Sequence, residues 1–323
     1  MGVRVVKPGM ATTIQDLGRP GYYRVGIPPS GSLDQYSSLA ANLLVGNDDS
    51  AAVLECTYLG PQLHFEAPTV VAVAGANLPP LLNGEARATW ESFAVAEGDV
   101  LSFDYLEGGA RAYIAVSGGF DVPQVLGSRS TYTLGSMGGV EGRVLAEGDW
   151  IDTGDTAGAT PGRVVPESLR TEHPKHREIR VMMGLFDHRL TPSGRQTFLK
   201  TEWRLTPVAD RTGFRYQGTE LEFEERDPPF GAGSDPSNIV DAPYPIGSIQ
   251  VPGGIEPIVL HRDAVSGGGY VMVATVIGAD MDLVGQSAPN NTTRFVEVDL
   301  ETALEARRDR SKQIEELRMA VAS

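Results

Sequence analysis

Residues 69–75 read TVVAVAG and residues 112–119 read AYIAVSGG. Both are strand-length runs of β-branched, aromatic and small apolar residues, and each is closed by glycine. They set the reading of the first half, where short apolar runs alternate with Gly/Pro turns from residue 3 to about residue 152. The 323 residues include 38 glycines and 22 prolines, a share of about 19% against an average near 12%. That excess favours a turn-rich β architecture over helix bundles. The length suits about two domains, each able to bury a core.

One helix stands out in the first half. Ser32-Leu33-Asp34-Gln35 has the spacing of a capping box with Ser32 as N-cap. Leu33, Tyr36, Leu39, Ala40, Leu43 and Leu44 follow at helical intervals, and Gly46 is placed to stop the helix. Residues 153–177 change character, with Gly154, Gly158, Pro161, Gly162, Pro166 and Pro174 among charges, and predict a linker or long surface loop. Strand text resumes at 178–183 and returns at 258–261 and 271–276. Residues 206–218 predict a strand and turn around Asp210-Arg211-Thr212-Gly213. Residues 227–243, with several prolines, predict an exposed loop. The last stretch, 300–322, predicts a helix with Leu304, Ile314 and Leu317 on one face, either docked or partner-binding. Gly-ended strands in both halves, VSGG at 116–119 and VSGGG at 265–269, fit a duplicated barrel, although such strands also recur by chance.

Charge narrows the function classes. Lys plus Arg is 27 and Asp plus Glu is 42, a net charge of −15. Such a surface repels phosphate backbones and acidic lipid heads, which argues against nucleic-acid and membrane partners. The single cysteine, Cys56, excludes an internal disulfide and cysteine-based metal clusters. Its strand context predicts a small buried hydrophobe. The N-terminus lacks a signal-peptide run, Val6 stands where a myristoylation signal has Ser or Thr, and no window approaches 18 apolar residues. The expectation is a cytoplasmic protein.

There is no Gly-x-Ser-x-Gly elbow, no Walker loop, no His-Glu-x-x-His and no complete Gly-x-Gly-x-x-Gly. His173 and His176 flank Pro174, which suits solvated side chains better than a metal site. What remains is polar residues in Gly/Pro turns. Residues 12–22, TTIQDLGRPGY, place Gln15, Asp16 and Arg19 within five positions. Residues 26–34, GIPPSGSLD, add Ser30 and Asp34 at a helix N-terminus, whose amides can bind an anion or carbonyl oxygen. Residues 126–132, LGSRSTY, supply Ser128 and Arg129. In the second half, GSIQVP at 247–252 and RDAVSGGGY at 262–270 supply Gln250, Asp263 and Tyr270. Spacing alone favours structural turns, with Asp16 and Arg19 in a local ion pair.

Taken together, TTIQDLGRPGY, GIPPSGSLD, NLLVGN, LGPQLHF, GGFDVPQVLGSRSTY and GSIQVPGGIEPIVL resemble the biotin-dependent carboxyltransferase, or allophanate hydrolase subunit 2-like, family, which includes the C subunit of 5-oxoprolinase. The resemblance runs in order from about residue 3 to residue 295. It implies a mainly β fold of two cyclophilin-like β-barrel domains, at 1–160 and 175–299, with a C-terminal helix at 300–323 and an active-site crevice between the barrels. It also implies a kinase-inhibitor-like (allophanate hydrolase subunit 1-like) sister subunit and, for 5-oxoprolinase, a lactam-utilisation subunit. ATP would then enter at the level of the complex, and biotin, if used, would be carried by another chain.

Urea, 5-oxoproline and the biotin ureido ring each present an N–H beside a carbonyl oxygen. Gln250 or Asp263 can accept that N–H while Arg19, Arg129 or backbone amides hold the oxygen. On this resemblance Asp16, Arg19, Gln250 and Asp263 are the catalytic candidates, and Gln15, Ser30, Asp34, Ser128, Arg129 and Tyr270 the substrate-binding ones. Two stretches depart from the family pattern. Asp-Arg-Gln-Thr-Thr-Gly-Gly-Tyr with a following cation is usual, but here Ala264 and Val265 replace the polar pair and Met272 replaces the cation. Met183-Gly184-Leu185 replaces the usual Gly-Pro-Gln start. A lost cation would weaken carboxylate binding by about 1–3 kcal/mol in a dry site. No Met-Lys biotinylation pair and no biotin carboxylase domain occur in the sequence, so the expectation is a subunit of a 5-oxoprolinase-like amide hydrolase, inactive alone. The alternatives are a biotin-dependent carboxyltransferase of the urea carboxylase type and a regulator that binds a kinase-inhibitor-like partner.

Overall fold

A computed structural model describes residues 1–155 and 159–322; Gly158 of the expected linker and Ser323 of the expected helix lie outside them. The fold is mainly β, with helices α1 (Gln35–Leu44), α2 (Pro192–Lys200), α3 (Met281–Gly285) and α4 (Leu300–Ala322). No helix among the described residues is long and apolar enough to cross a membrane. The chain divides into two compact units that are not consecutive blocks of sequence. The first comprises residues 1–19, 30–173 and 311–323; the second comprises 20–29 and 174–310.

In the first unit a five-stranded sheet runs in the order Thr13–Gln15, Val53–Thr57, Gly108–Val116, Thr69–Asn77, Ser92–Val95. Both of its faces are covered, which is why its central strands read as nearly unbroken apolar runs. One face, with Leu54, Cys56, Val71, Val73, Ile114 and Val116, shares a core with Val3, Val5, Leu63, Phe65 and Leu101 of a seven-stranded sheet. The other face, with Val53, Ala72, Ala74 and Tyr113, packs under Tyr36, Ala40 and Leu44 of α1 and Leu317 and Val321 of α4. Cys56 is fully buried, as its context predicts, and burial pushes its thiol far above the ordinary range.

The second unit is a closed barrel, in the order His176–Met183, Met272–Val276, Ser248–Gln250, Ile258–Leu260, Gly213–Gln217, Trp203–Ala209, Thr292–Glu297. Parallel pairing of His176–Met183 with Thr292–Glu297 closes it. Phe198 of α2 stacks on Phe295 with ring centroids 5.0 Å apart.

Three local expectations change. Helix α1 starts at Gln35, not Leu33, because Asp34 rather than Ser32 is the N-cap: its carboxylate accepts the Ser37 amide at 3.0 Å and the Ser37 hydroxyl at 2.6 Å. The expected 227–243 loop ends in a strand, Asn238–Pro243, which pairs with Gly267–Tyr270 and buries Ile239 and Ala242. Residues 159–173 of the expected linker group with the first unit. Val165 is fully buried and donates its amide to the Trp90 carbonyl at 2.9 Å. Helix α4 is docked. Its 311–322 part belongs to the first unit, where Leu317 is fully buried among that unit's residues.

Candidate functional site

In the first unit the strand Thr13–Gln15 delivers Asp16 into a nest of donors. Oδ1 accepts the Gly18 amide at 2.7 Å and the hydroxyls of Ser128 at 2.6 Å and Ser130 at 2.5 Å; Oδ2 accepts the Arg129 amide at 2.6 Å. Three donors on Oδ1 and one on Oδ2 tie the carboxylate to its surroundings, so Asp16 organises the 128–130 loop. Arg19, fully buried, donates to the Ser130 carbonyl and the Val125 carbonyl. The local Asp16–Arg19 ion pair that spacing favours is therefore replaced by two grips on one loop. Gly138, with φ +68°, closes over it; a Cβ there would fall 2.0 Å from the Ser130 carbonyl oxygen.

The adjoining Ser30–Asp34 loop is held amide by amide. Gly31 N donates to Gln15 Oε1 at 3.1 Å, Ser32 N to the Asp16 carbonyl at 3.0 Å, Leu33 N to Glu55 Oε2 at 2.8 Å and Asp34 N to the Tyr113 hydroxyl at 2.8 Å. These amides are thus engaged by the fold and cannot serve as the anion-binding turn expected from the helix N-terminus. The Gln15 amide group donates in turn to the Thr131 carbonyl at 3.1 Å. Ser30 is fully buried in the left-handed region (φ +55°), and its hydroxyl and that of Ser32 have no partner. Strain at a non-glycine residue with an unused polar group is a signature of functional sites. In this loop the Ser30 and Ser32 hydroxyl oxygens are buried without a hydrogen-bond partner.

Glu55, Arg111 and Tyr113 were not legible as part of this site. Glu55 accepts the Tyr113 hydroxyl at 2.9 Å and lies 3.8 Å from Arg111, all three buried. The available signal was a carboxylate inside the apolar strand Val53–Thr57. The Arg129 side chain turns away from Asp16 to Asp121 at 3.0 Å and lines a polar cavity of about 420 Å³ with Asn47, Gly118, Gly119 and Arg163.

In the second unit Asp263 is paired with Arg211, with Nε to Oδ2 at 2.7 Å and Nη2 to Oδ1 at 3.3 Å. Arg211, another residue the sequence reading passed over as part of a turn, therefore already meets the carboxylate expected to receive a substrate N–H. Gln250 is buried on the strand Ser248–Gln250 beside Tyr244. The Tyr244 hydroxyl bridges the Tyr270 carbonyl and amide, both at 2.7 Å, while the Tyr270 side chain stays partly exposed. Tyr23, on the 20–29 segment of this unit, donates to the Tyr244 carbonyl at 2.8 Å and the Val265 carbonyl at 3.0 Å. Burial raises the hydroxyl pKa of both tyrosines. Ala264 and Met272, the apolar departures, are buried in the core, so a cation at 272 would be desolvated here.

The ten candidates fall into two groups: Gln15, Asp16, Arg19, Ser30, Asp34, Ser128 and Arg129 in the first unit, and Gln250, Asp263 and Tyr270 in the second. Asp34 serves α1 as its cap. His173 and His176 belong to different units, His173 beside the Gly75 carbonyl at 3.0 Å and His176 beside the Thr292 hydroxyl at 2.6 Å. Among the described residues no group of three or more His, Cys, Asp or Glu can hold a metal ion.

The family model for the carboxyltransferase domain, subdomains A and B, matches residues 25–297. This chain belongs to that carboxyltransferase family. Within it, the 5-oxoprolinase C subunit of Escherichia coli is 34% identical over 98% of this chain and 97% of its own length. Urea amidolyase of Lachancea kluyveri is 35% identical over 97% of this chain but only 18% of its own length. The crystal structure of Kluyveromyces lactis urea amidolyase matches with a TM-score of 0.92 at 34% identity, covering 98% of this chain and 20% of that one. The carboxyltransferase chain thus spans about a fifth of the urea amidolyases it matches.

Proposed function

We propose that this carboxyltransferase-family chain works as the C subunit of an ATP-dependent 5-oxoprolinase-like amide hydrolase, opening 5-oxoproline to glutamate with partner subunits and inactive alone. The observation that carries the reading is the match to the 5-oxoprolinase C subunit over nearly the full length of both chains. Water adds across the lactam C–N bond, the carbonyl carbon gaining oxygen and the ring nitrogen a proton. ATP cleavage, supplied through a kinase-inhibitor-like sister and a lactam-utilisation subunit, drives the opening.

The chain's own contribution is recognition of the cyclic –NH–CO– edge. A Gln250 carboxamide presents an acceptor and a donor side by side, which is the complement of that edge. Asp263 then acts as a positioning carboxylate held by Arg211. Gln250→Ala is expected to raise KM for 5-oxoproline about tenfold or more, equivalent to one lost hydrogen bond in a dry site.

A second reading is carboxyl transfer to urea, favoured by the likeness to urea amidolyases. Gln250 would then hold the ureido edge of biotin carried on another chain, and carboxybiotin would supply the activated carboxyl group. Co-expression with both kinds of partner, followed by an assay for ATP-dependent glutamate release, decides between them. A stable complex that releases no glutamate but carboxylates urea overturns the first reading. A stable complex inactive in both assays points to a regulatory role.

A further inference from the structure

The barrel of the second unit holds a buried cation with no counter-charge. Arg177 lies on the strand His176–Met183, whose alternating burial turns Arg177, Ile179 and Val181 inward. Its guanidinium donates to three neutral oxygens: Nη1 to the Leu283 carbonyl at 2.6 Å, and Nη2 to the Pro174 carbonyl at 2.6 Å and to Asn291 Oδ1 at 3.0 Å. Among the described residues no carboxylate pairs with it, and its Nε–H, also buried, has no acceptor. Burial pulls the guanidinium pKa below its ordinary value. Carbonyl dipoles offset part of a full charge, yet buried charges are as a rule paired.

The unsatisfied atoms lie near one another. Thr293 stands directly across from Arg177 in the parallel pairing that closes the barrel. Tyr216, fully buried, lies beside Thr293 and Ser287 and within electrostatic reach of Arg177. The Thr293 and Tyr216 hydroxyls have no hydrogen-bond partner of normal length. An N–H that can only donate, two neighbouring O–H groups outside good hydrogen-bond geometry and an uncompensated positive charge together call for an acceptor that is itself negative. None of these residues belongs to the proposed substrate group.

We propose that the interior of this barrel binds one small monovalent anion of halide size, held by Arg177 Nε–H and the hydroxyls of Thr293 and Tyr216. Three single donors, with no fork to match a planar carboxylate, suit a spherical acceptor. The test compares melting of the full chain in potassium chloride and in potassium gluconate at equal ionic strength. Chloride is expected to raise the melting temperature saturably by about 2–4 °C. Thr293→Val should shrink that rise and Arg177→Met abolish it, and crystals soaked in bromide should show one anomalous peak beside Thr293. Equal melting in both salts with no interior bromide peak overturns the proposal and leaves a water in the site. A chloride effect unchanged in both variants overturns it by placing the anion elsewhere. Should Arg177→Met fail to fold, Thr293→Val and the bromide map decide.

Discussion

In the first unit the Asp16 carboxylate meets four donors, whereas in the second unit the Arg177 guanidinium meets three neutral oxygens and no carboxylate. The first arrangement is closed: each oxygen is engaged, and the surrounding loops are fixed around it. The second is open and has capacity for one more partner. Removal of either group orphans the neighbours it holds, but only at Arg177 does it also remove a buried charge that no carboxylate offsets.

Asp16→Ala should therefore produce the largest effect. It leaves the amides of Gly18 and Arg129 and the hydroxyls of Ser128 and Ser130 without their acceptor, a loss of about 4 kcal/mol after partial relief by water. Denaturant unfolding with an unchanged slope and a lower midpoint would register it; a shift under about 1 kcal/mol would contradict the closed nest. Leu317→Ala tests whether α4 completes the first unit's core. Truncating this fully buried side chain should remove about 3 kcal/mol, and a neutral result would mean that the helix is not docked in solution. Asp34→Ala removes the α1 N-cap and should cost about 1 kcal/mol. Ser32→Ala, by contrast, should be nearly neutral for the helix, which separates the observed cap from the expected one.

The smallest expected effect lies at the surface of the first unit. Arg143 grips Asp149 with both terminal nitrogens, at 2.7 and 2.8 Å, and holds its carboxyl pKa below the ordinary carboxylate range. A lowered folded-state pKa gives stability that is present above the unfolded value, about 3.9, and fades as the pH falls through the lower folded value. Because Arg143 is more than a third exposed, the contribution should stay below about 1 kcal/mol and shrink in high salt. Asp149→Asn should flatten the acid limb of stability below about pH 4 by that amount, read by thermal melting across pH.

Much of the fold was legible because it rests on local pattern. The run at 69–75 and its neighbour at 112–116 are central strands of a sheet buried on both faces, and continuous apolar text is what such strands require. The 238–243 strand escaped notice because prolines and charges dilute it and its partner is the glycine-rich 267–270 segment. The loops of the candidate site were visible as motifs, but the bonds within them were not. Asp263 finds Arg211 across 52 positions and Glu55 finds Tyr113 across 58, and such pairings are set by sheet order rather than by spacing. The capping box misled for a related reason. The Ser32 amide is drawn to the Asp16 carbonyl, which delays the helix until Asp34 can cap it.

The threading of the chain bears on how it is made. The sheet face that receives Leu317 and Val321 comes from residues near positions 40, 72 and 113, so during synthesis it waits uncovered for more than two hundred further residues. The 20–29 segment likewise has its tyrosine partner far along the chain, at position 244. No single cut in the polypeptide separates the two units, because each is assembled from segments that interleave along the chain.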